Sequence, residues 1–159
     1  SRAARVTRGA FYHHFEDKKA LFDAVVVALQ VDAAARIEAR AKTHRKIWVR
    51  LTEGIEAYLD VCLEPPYARI VIQEASAVLG NARYREIEEA HTMALLTATL
   101  AALKGQGELD FDDIELLSCM VDAMICEMAL LLPGADNPKK LRARGQKIIG
   151  SLLGALRTP

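Results

Sequence analysis

Apolar residues in this chain recur every three to four positions over most of its length, and no stretch alternates apolar with polar for long enough to make a convincing strand. A repeat of that kind gathers greasy side chains on one side of an α-helix, so the sequence reads as all-α. Proline and glycine then mark where each helix stops.

The punctuation predicts a short helix from Arg8 to about His14, with Thr7 as its cap. Asp17 caps a second helix that starts Lys18-Lys19-Ala20-Leu21 and runs without glycine or proline to about Lys42. A third spans about Lys46 to Leu63 and is ended by Glu64-Pro65-Pro66, because proline cannot continue the ladder and disfavours the α region in its predecessor. A fourth begins near Pro66 and stops at Gly80-Asn81, and a fifth covers about Ala82 to Lys104 before Gly105-Gln106-Gly107. Asp110, supported by Asp113, is expected to cap a long apolar helix that ends at Pro133-Gly134. Asn137-Pro138 opens the last helix, which runs to about Arg157.

With 159 residues, 52% apolar and 26% charged, the chain can bury a proper core. Asp122, Glu127 and Gly150 interrupt its greasiest runs before they reach the ~18 to 20 residues of a bilayer crossing, so no membrane span is expected. The opening Ser1-Arg2 lacks a signal-peptide pattern, and a cytoplasmic protein is the expectation. Cys62, Cys119 and Cys126 form no C-x-x-C pair, which speaks against a disulfide framework or zinc ribbon and for small buried hydrophobes. Charge is uneven although it sums to zero: residues 1–50 hold 11 Lys+Arg against 5 Asp+Glu, leaving 10 against 16 in residues 51–159. A basic first segment suits contact with a polyanion.

That basic segment contains the most specific motif. A recognition helix reaches DNA bases with its first turns, while its N-terminal N–H groups face phosphate. Thr7, Arg8 and Gly9 occupy that end: the Arg8 fork suits guanine O6 and N7 or a phosphate, and Gly9 permits close backbone approach. Tyr12 and His13 lie a turn further on, within reach of phosphates. Lys18 opposes the dipole of the next helix, so it too is better explained by a phosphate. Phe11, Phe15, Leu21 and Phe22 read as apolar pins between the short helices. Neighbouring imidazoles at His13 and His14 point about 100° apart and do not share an ion, so no metal is expected there.

Residues 6–21, Val-Thr-Arg-Gly-Ala-Phe-Tyr-His-His-Phe-Glu-Asp-Lys-Lys-Ala-Leu, closely resemble the end of the helix-turn-helix domain of the TetR family, whose spaced Tyr, Phe, Lys and Leu correspond to Tyr12, Phe15, Lys18 and Leu21. The resemblance implies an all-α chain in which a truncated helix-turn-helix head (1–42, including a connecting helix) joins a ligand-binding and dimerisation bundle (43–159). It implies a transcriptional regulator, most simply a repressor released from a palindromic operator on double-stranded DNA by a small-molecule effector, acting as a homodimer and without a cofactor. Relatives generally carry two helices before this motif, of which at most the tail of the second corresponds to Ser1 to Ala4. They usually have glycine where this sequence has Arg5; a positive φ there would cost an Arg about 1 kcal/mol.

No nucleophile elbow, phosphate-binding glycine loop or His-Glu-x-x-His is present, and His44 and His91 stand alone in stretches read as helical, so an enzyme is not expected. A small-molecule carrier without DNA binding is the alternative. For an effector pocket the candidate wall residues are Trp48, Tyr58, Cys62, Gln73, Met93, Met120, Met124 and Met128, each of which plain core packing would also explain. Asp122 and Glu127 face solvent, cross an interface or meet a polar ligand group. The apolar surface of the last two helices exceeds one stripe, and its Val121, Met124, Ile125, Met128, Ile149, Leu152, Leu153 and Leu156 are the expected dimer contacts. Gly145, Gly150 and Gly154 would allow close approach in a two-fold four-helix bundle.

Overall fold

A computed structural model describes residues 17–159. Seven helical segments follow in order: α1 (Lys18–Lys42), α2 (Ile47–Cys62), α3 (Pro65–Leu79), α4 (Asn81–Ala90), α5 (Thr92–Gly105), α6 (Ile114–Leu131) and α7 (Pro138–Gly154). Among the described residues the β-pairing amounts to one antiparallel bridge, Leu109 to Arg157. The short helix expected over Arg8–His14 lies outside the described residues.

Several boundaries fall where side-chain chemistry puts them. Asp17 caps α1 by accepting from the Ala20 N–H at 2.7 Å, and Asn137 caps α7 by accepting from the Lys140 N–H at 3.0 Å. Gly80, at φ 87°, separates α3 from α4, and Gly107, at φ 71°, closes the turn after α5; both are conformations that favour glycine. Residues Ala68–Glu74 inside α3 are wound as a π-helix, which the apolar spacing does not announce.

Four expectations need correction. The single helix over 82–104 is two: His91, at φ −128° and ψ −95°, breaks it without glycine or proline. The break coincides with a tertiary contact, because Thr92 is buried and its hydroxyl donates to Gln30 Oε1 on α1 at 2.7 Å. The long apolar helix is capped by Asp113, which accepts from the Leu116 N–H at 2.9 Å, and not by Asp110. Asp110 is held elsewhere, its N–H donating to the Leu156 carbonyl beside the Leu109–Arg157 bridge. Helix α7 ends at Gly154, short of Arg157, because Arg157 takes part in that bridge. His44 and His91 therefore sit in a turn and at a break, not within helices.

The main core gathers α1, α2, α5, α6 and α7 around Leu51, Leu59, Leu100, Leu103, Val121, Ile125 and Leu153. A second cluster of Val26, Ala75, Leu79 and Ile87 joins α1 to α3 and α4, and Phe22 packs against it from the first turns of α1. Helix α6 with its following turn, Ile114–Gly134, is long and apolar enough by composition alone to cross a bilayer, a test that the core helix of a water-soluble fold also passes, so its acids interrupt the apolar run less than expected. Its Ser118, Val121, Ile125 and Ala129 are instead buried in the protein core.

Ion pairs bind the helices at the rim. On α2, Glu53, Glu56 and Asp60 form one narrow stripe. Arg40 of α1 reaches Glu53 at 2.8 Å and Asp60 at 3.0 Å, while Arg142 of α7 reaches Glu56 at 3.0 Å and Asp60 at 2.6 Å. Arg83 of α4 clamps Asp23 of α1 through two bonds of 2.6 and 2.9 Å, and this fork holds the Asp23 carboxyl below its ordinary range.

Leu100 is wholly buried where α5 meets the core. Its replacement by Ala is expected to destabilise the fold by about 2–5 kcal/mol in urea unfolding at fixed protein concentration, through lost burial and the cavity left behind.

Candidate functional site

The clearest concavity is a cleft of about 270 Å³ between α1, α2 and α5. Helix α2 supplies its floor with Ile47, Arg50, Leu51, Gly54, Ile55 and Tyr58, spaced as one helical face. Leu95, Leu96, Thr99 and neighbours on α5 form one wall, and Ile37, Glu38, Ala41 and Lys42 on α1 the other. The gap persists because small residues face one another: Ala41 on α1, Gly54 on α2, Ala98 and Ala102 on α5. A β-carbon added at Gly54 would touch Ile37 Cγ2 at 3.7 Å, so even Ala would begin to fill the space.

Polar groups are segregated to the ends. At the outer end, Glu38 and Lys42 pair at 2.7 Å on the solvent side, while Arg50 donates through Nε to the His44 carbonyl at 2.7 Å. The terminal nitrogens of Arg50 have no partner among the described residues. At the inner end, Thr92 is committed to Gln30, and the Tyr58 hydroxyl lies 3.9 Å from Cys126 Sγ.

Behind that inner end lies a half-buried polar seam. Cys126 Sγ lies 3.8 Å from Asp122 Oδ2, and burial pushes the Asp122 carboxyl up despite its Tyr58 and Cys126 neighbours. The adjacent Cys62 thiol, with burial behind it, drives the Cys126 thiol well above its ordinary range. A thiol held protonated in this way is a poor nucleophile; of the three cysteines expected to be buried, Cys62 is, whereas Cys119 and Cys126 are half-buried. Gln30 is wholly buried and its Nε2 has no partner in the structure.

The sequence-derived candidates distribute unevenly around these features. Of the eight proposed pocket residues, Tyr58 lines the cleft. Cys62 and Met93 are buried beside it, Met124 and Met128 pack half-buried against the core, Gln73 is exposed, and Met120 is 57% exposed on α6. Trp48 lies under the Arg157 guanidinium, 4.9 Å from the ring centre. The cleft residues missed by sequence reasoning, Arg50 and Gly54 above all, had one legible signal: a glycine in mid-helix with no turn nearby.

Of the proposed dimer contacts, Val121, Ile125, Ile149 and Leu153 are buried in the chain's own core. Met124, Met128 and Leu156 are half-buried, and Leu152 is 52% exposed. Leu116, Met120, Leu130 and Leu131 on α6 and Ile148 on α7 share that outward exposure, between 47% and 59%. Asp122 belongs to the half-buried seam, whereas Glu127 is exposed. Lys18 is exposed in the first turn of α1; Thr7, Arg8, Gly9, Tyr12 and His13 lie outside the described residues.

Glu88, buried near the seam, gives a pH prediction. Burial raises its carboxyl to about 7, with the Tyr84 hydroxyl opposing, Asp122 adding, Arg85 opposing and Glu89 adding. The folded state therefore binds this proton more tightly than the unfolded state, so its stabilisation is complete below the unfolded value and is lost as pH rises towards 7. Glu88→Gln is expected to flatten that fall, read as melting temperature from pH 4.5 to 8, with at most about 3 kcal/mol at stake.

Comparison with known proteins places this architecture. Residues 48–156 match the family described as "Tetracyclin repressor-like, C-terminal domain", and residues 1–25 match "Bacterial regulatory proteins, tetR family". The Transposon Tn10 TetC protein of Escherichia coli is 27% identical over 153 residues, covering 96% of this chain and 76% of that protein. The crystal structure of a TetR-family transcriptional regulator from Pectobacterium atrosepticum superposes with a TM-score of 0.77 at 29% identity, covering 99% of this chain and 81% of that one. A bacterial regulatory protein in the tetR family from Rhodococcus RHA1 shares the fold at 20% identity, with a TM-score of 0.73 over 96% of this chain and 83% of that one. The carrier alternative is thereby set aside: the chain belongs to the TetR family of non-enzymatic bacterial regulators and is a DNA-binding regulator of transcription.

Proposed function

We propose that this regulator is a cytoplasmic repressor that leaves a palindromic operator when a small molecule enters the cleft between α1, α2 and α5. The observation that carries the reading is that one wall of the cleft is α1 itself, the helix that follows directly on the basic motif. A ligand that binds better when α1 and α5 stand apart would shift the population toward that spacing and so move the head. In this reading residues 1–42 form the head with its connecting helix and 43–159 the body, with α1 shared between them.

DNA contact is assigned to Thr7, Arg8, Gly9, Tyr12, His13 and Lys18. Arg8 reads a base; Tyr12, His13 and Lys18 hold phosphate. The exposed position of Lys18 supports this assignment. The partner is a second copy of the chain, joined through the apolar outward faces of α6 and α7, where Leu116, Met120, Ile148 and Leu152 would otherwise remain in water. The two recognition helices then meet half-sites about one turn of DNA, ~34–36 Å, or a multiple of it apart.

Two measurements test the assembly and the head. Sedimentation of the wild type is expected to give a dimer at micromolar concentration, and the double substitution Met120→Glu, Leu152→Glu a monomer; a persistent 17.5 kDa wild-type species would overturn the dimer. Titration of the full native chain against its own upstream DNA at two salt concentrations is expected to show a salt slope reduced by about one unit in Lys18→Ala. Arg8→Ala is expected to lose about 1–3 kcal/mol and to relax sequence choice. Binding unchanged after both replacements would refute the assignment of the head.

A further inference from the structure

We infer that the cleft takes an amphiphilic carboxylate: a flexible aliphatic chain of medium length lying along α2, with its carboxylate on Arg50 at the outer end. The inference rests on the reading of this cleft as the effector site, and narrows it to a chemical class.

Charge comes first. The two polar groups that line the inner end already have tasks, the Thr92 hydroxyl with Gln30 and the Tyr58 hydroxyl with the Cys126–Asp122 pair behind it, and the unpartnered Gln30 Nε2 lies outside the lining. At the outer end Glu38 and Lys42 neutralise each other. Arg50 is the charge left over. Its Nε is tied to the His44 carbonyl, which fixes the plane of the guanidinium and leaves both terminal nitrogens as parallel donors, the geometry a carboxylate accepts bidentately. Arg45 and Lys46, in the turn between α1 and α2, add to the positive field around that end.

Shape comes second. The lining of α2 extends from Ile47 to Tyr58, a rise of roughly 16 Å along the helix, beside a space of about 270 Å³. The cleft is elongated along α2. Its walls are aliphatic: Ile37, Leu51, Ile55, Leu95 and Leu96 surround it, and Tyr58 at the inner end is the one aromatic. Such walls offer a polymethylene chain continuous apolar contact, worth about 0.8 kcal/mol per buried methylene, and give a planar polycycle few of the stacking partners it would use. Gly54 keeps the floor open at mid-length.

The test is calorimetric titration of the full native chain with decanoate, decan-1-ol and decyltrimethylammonium. Decanoate is expected to bind at least tenfold more tightly than the alcohol and the cation not at all. Arg50→Gln should bring decanoate down to the level of the alcohol while leaving the alcohol unchanged. Gly54→Leu, or Ala98→Leu should the first variant fold poorly, should abolish both. Equal affinity for acid and alcohol, an Arg50→Gln protein that keeps the preference, or no decanoate binding at millimolar concentration overturns the inference. Release of upstream DNA, measured in parallel, separates the two levels. Decanoate that binds without releasing DNA overturns the effector role and leaves the ligand class standing, whereas release by a neutral or cationic compound alone does the reverse.

Discussion

Helix α2 carries Ala57, Tyr58, Leu59, Val61 and Cys62 almost in succession, and at 100° per residue these spread over more than half of its circumference. Neighbours on several sides are needed to keep them from water, and the other helices supply them: α1 along one flank, α3 at its end, α5 and α6 across the remaining faces. The polar stripe of Glu53, Glu56 and Asp60 is the only exit from that burial. Because Arg40 and Arg142 both converge on Asp60, the stripe joins α1 and α7 through α2. Exposed pairs of this kind contribute little energy singly, on the order of 0–1 kcal/mol, so their weight lies in registering three helices against each other.

Helix α1 is held differently along its length. Near its start, the Arg83–Asp23 fork and Phe22 fasten it to α3 and α4. In the middle, buried Gln30 meets Thr92, with one amide donor unsatisfied. Towards its end, Arg36 is bonded to Glu64 and Arg40 to α2. Over that same end, at Ile37, Glu38, Ala41 and Lys42, the cleft replaces contact with α5 by empty space. An unpaired buried donor and an unfilled gap are both unfavourable, roughly 1–3 kcal/mol for the donor alone, and they lie next to each other along the same helix. Movement of α1 against α5 would therefore meet least resistance there, which is where a ligand would act.

Much of this was legible in the residues, and what was not has identifiable causes. Asp17, Gly80, Gly107 and Asn137 act through local backbone chemistry, so each could be read from its neighbours alone. The break at His91 depends on Thr92 meeting Gln30 sixty-two residues away, and the choice of Asp113 over Asp110 depends on the C-terminal segment; neither partner is near in sequence. The cleft escaped for a related reason. Methionines and aromatics are chosen by size, yet a cavity is made where large side chains are missing, and only the arrangement of three helices brings Ala41, Gly54, Ala98 and Ala102 opposite one another. The apolar excess of α6 and α7 was visible, but which half of it faces inward was not: Val121, Ile125, Ile149 and Leu153 turned to the core, and Leu116, Met120, Ile148 and Leu152 were left outside.

That division of α6 also bears on how the two ends of the molecule communicate. The helix presents one apolar face to α2 and α5 and another to solvent, so a second copy docking on the outer face would press on a helix whose inner face includes Ile125, itself part of the cleft lining. The same helix holds Asp122 and Cys126 against Tyr58, the residue that closes the inner end of the cleft. Packed interiors transmit small displacements because they have little free volume to absorb them. A helix packed on both sides would act as a fixed rail, and α1, which forms one wall of the cleft, is the element on which an occupant of that cleft would press.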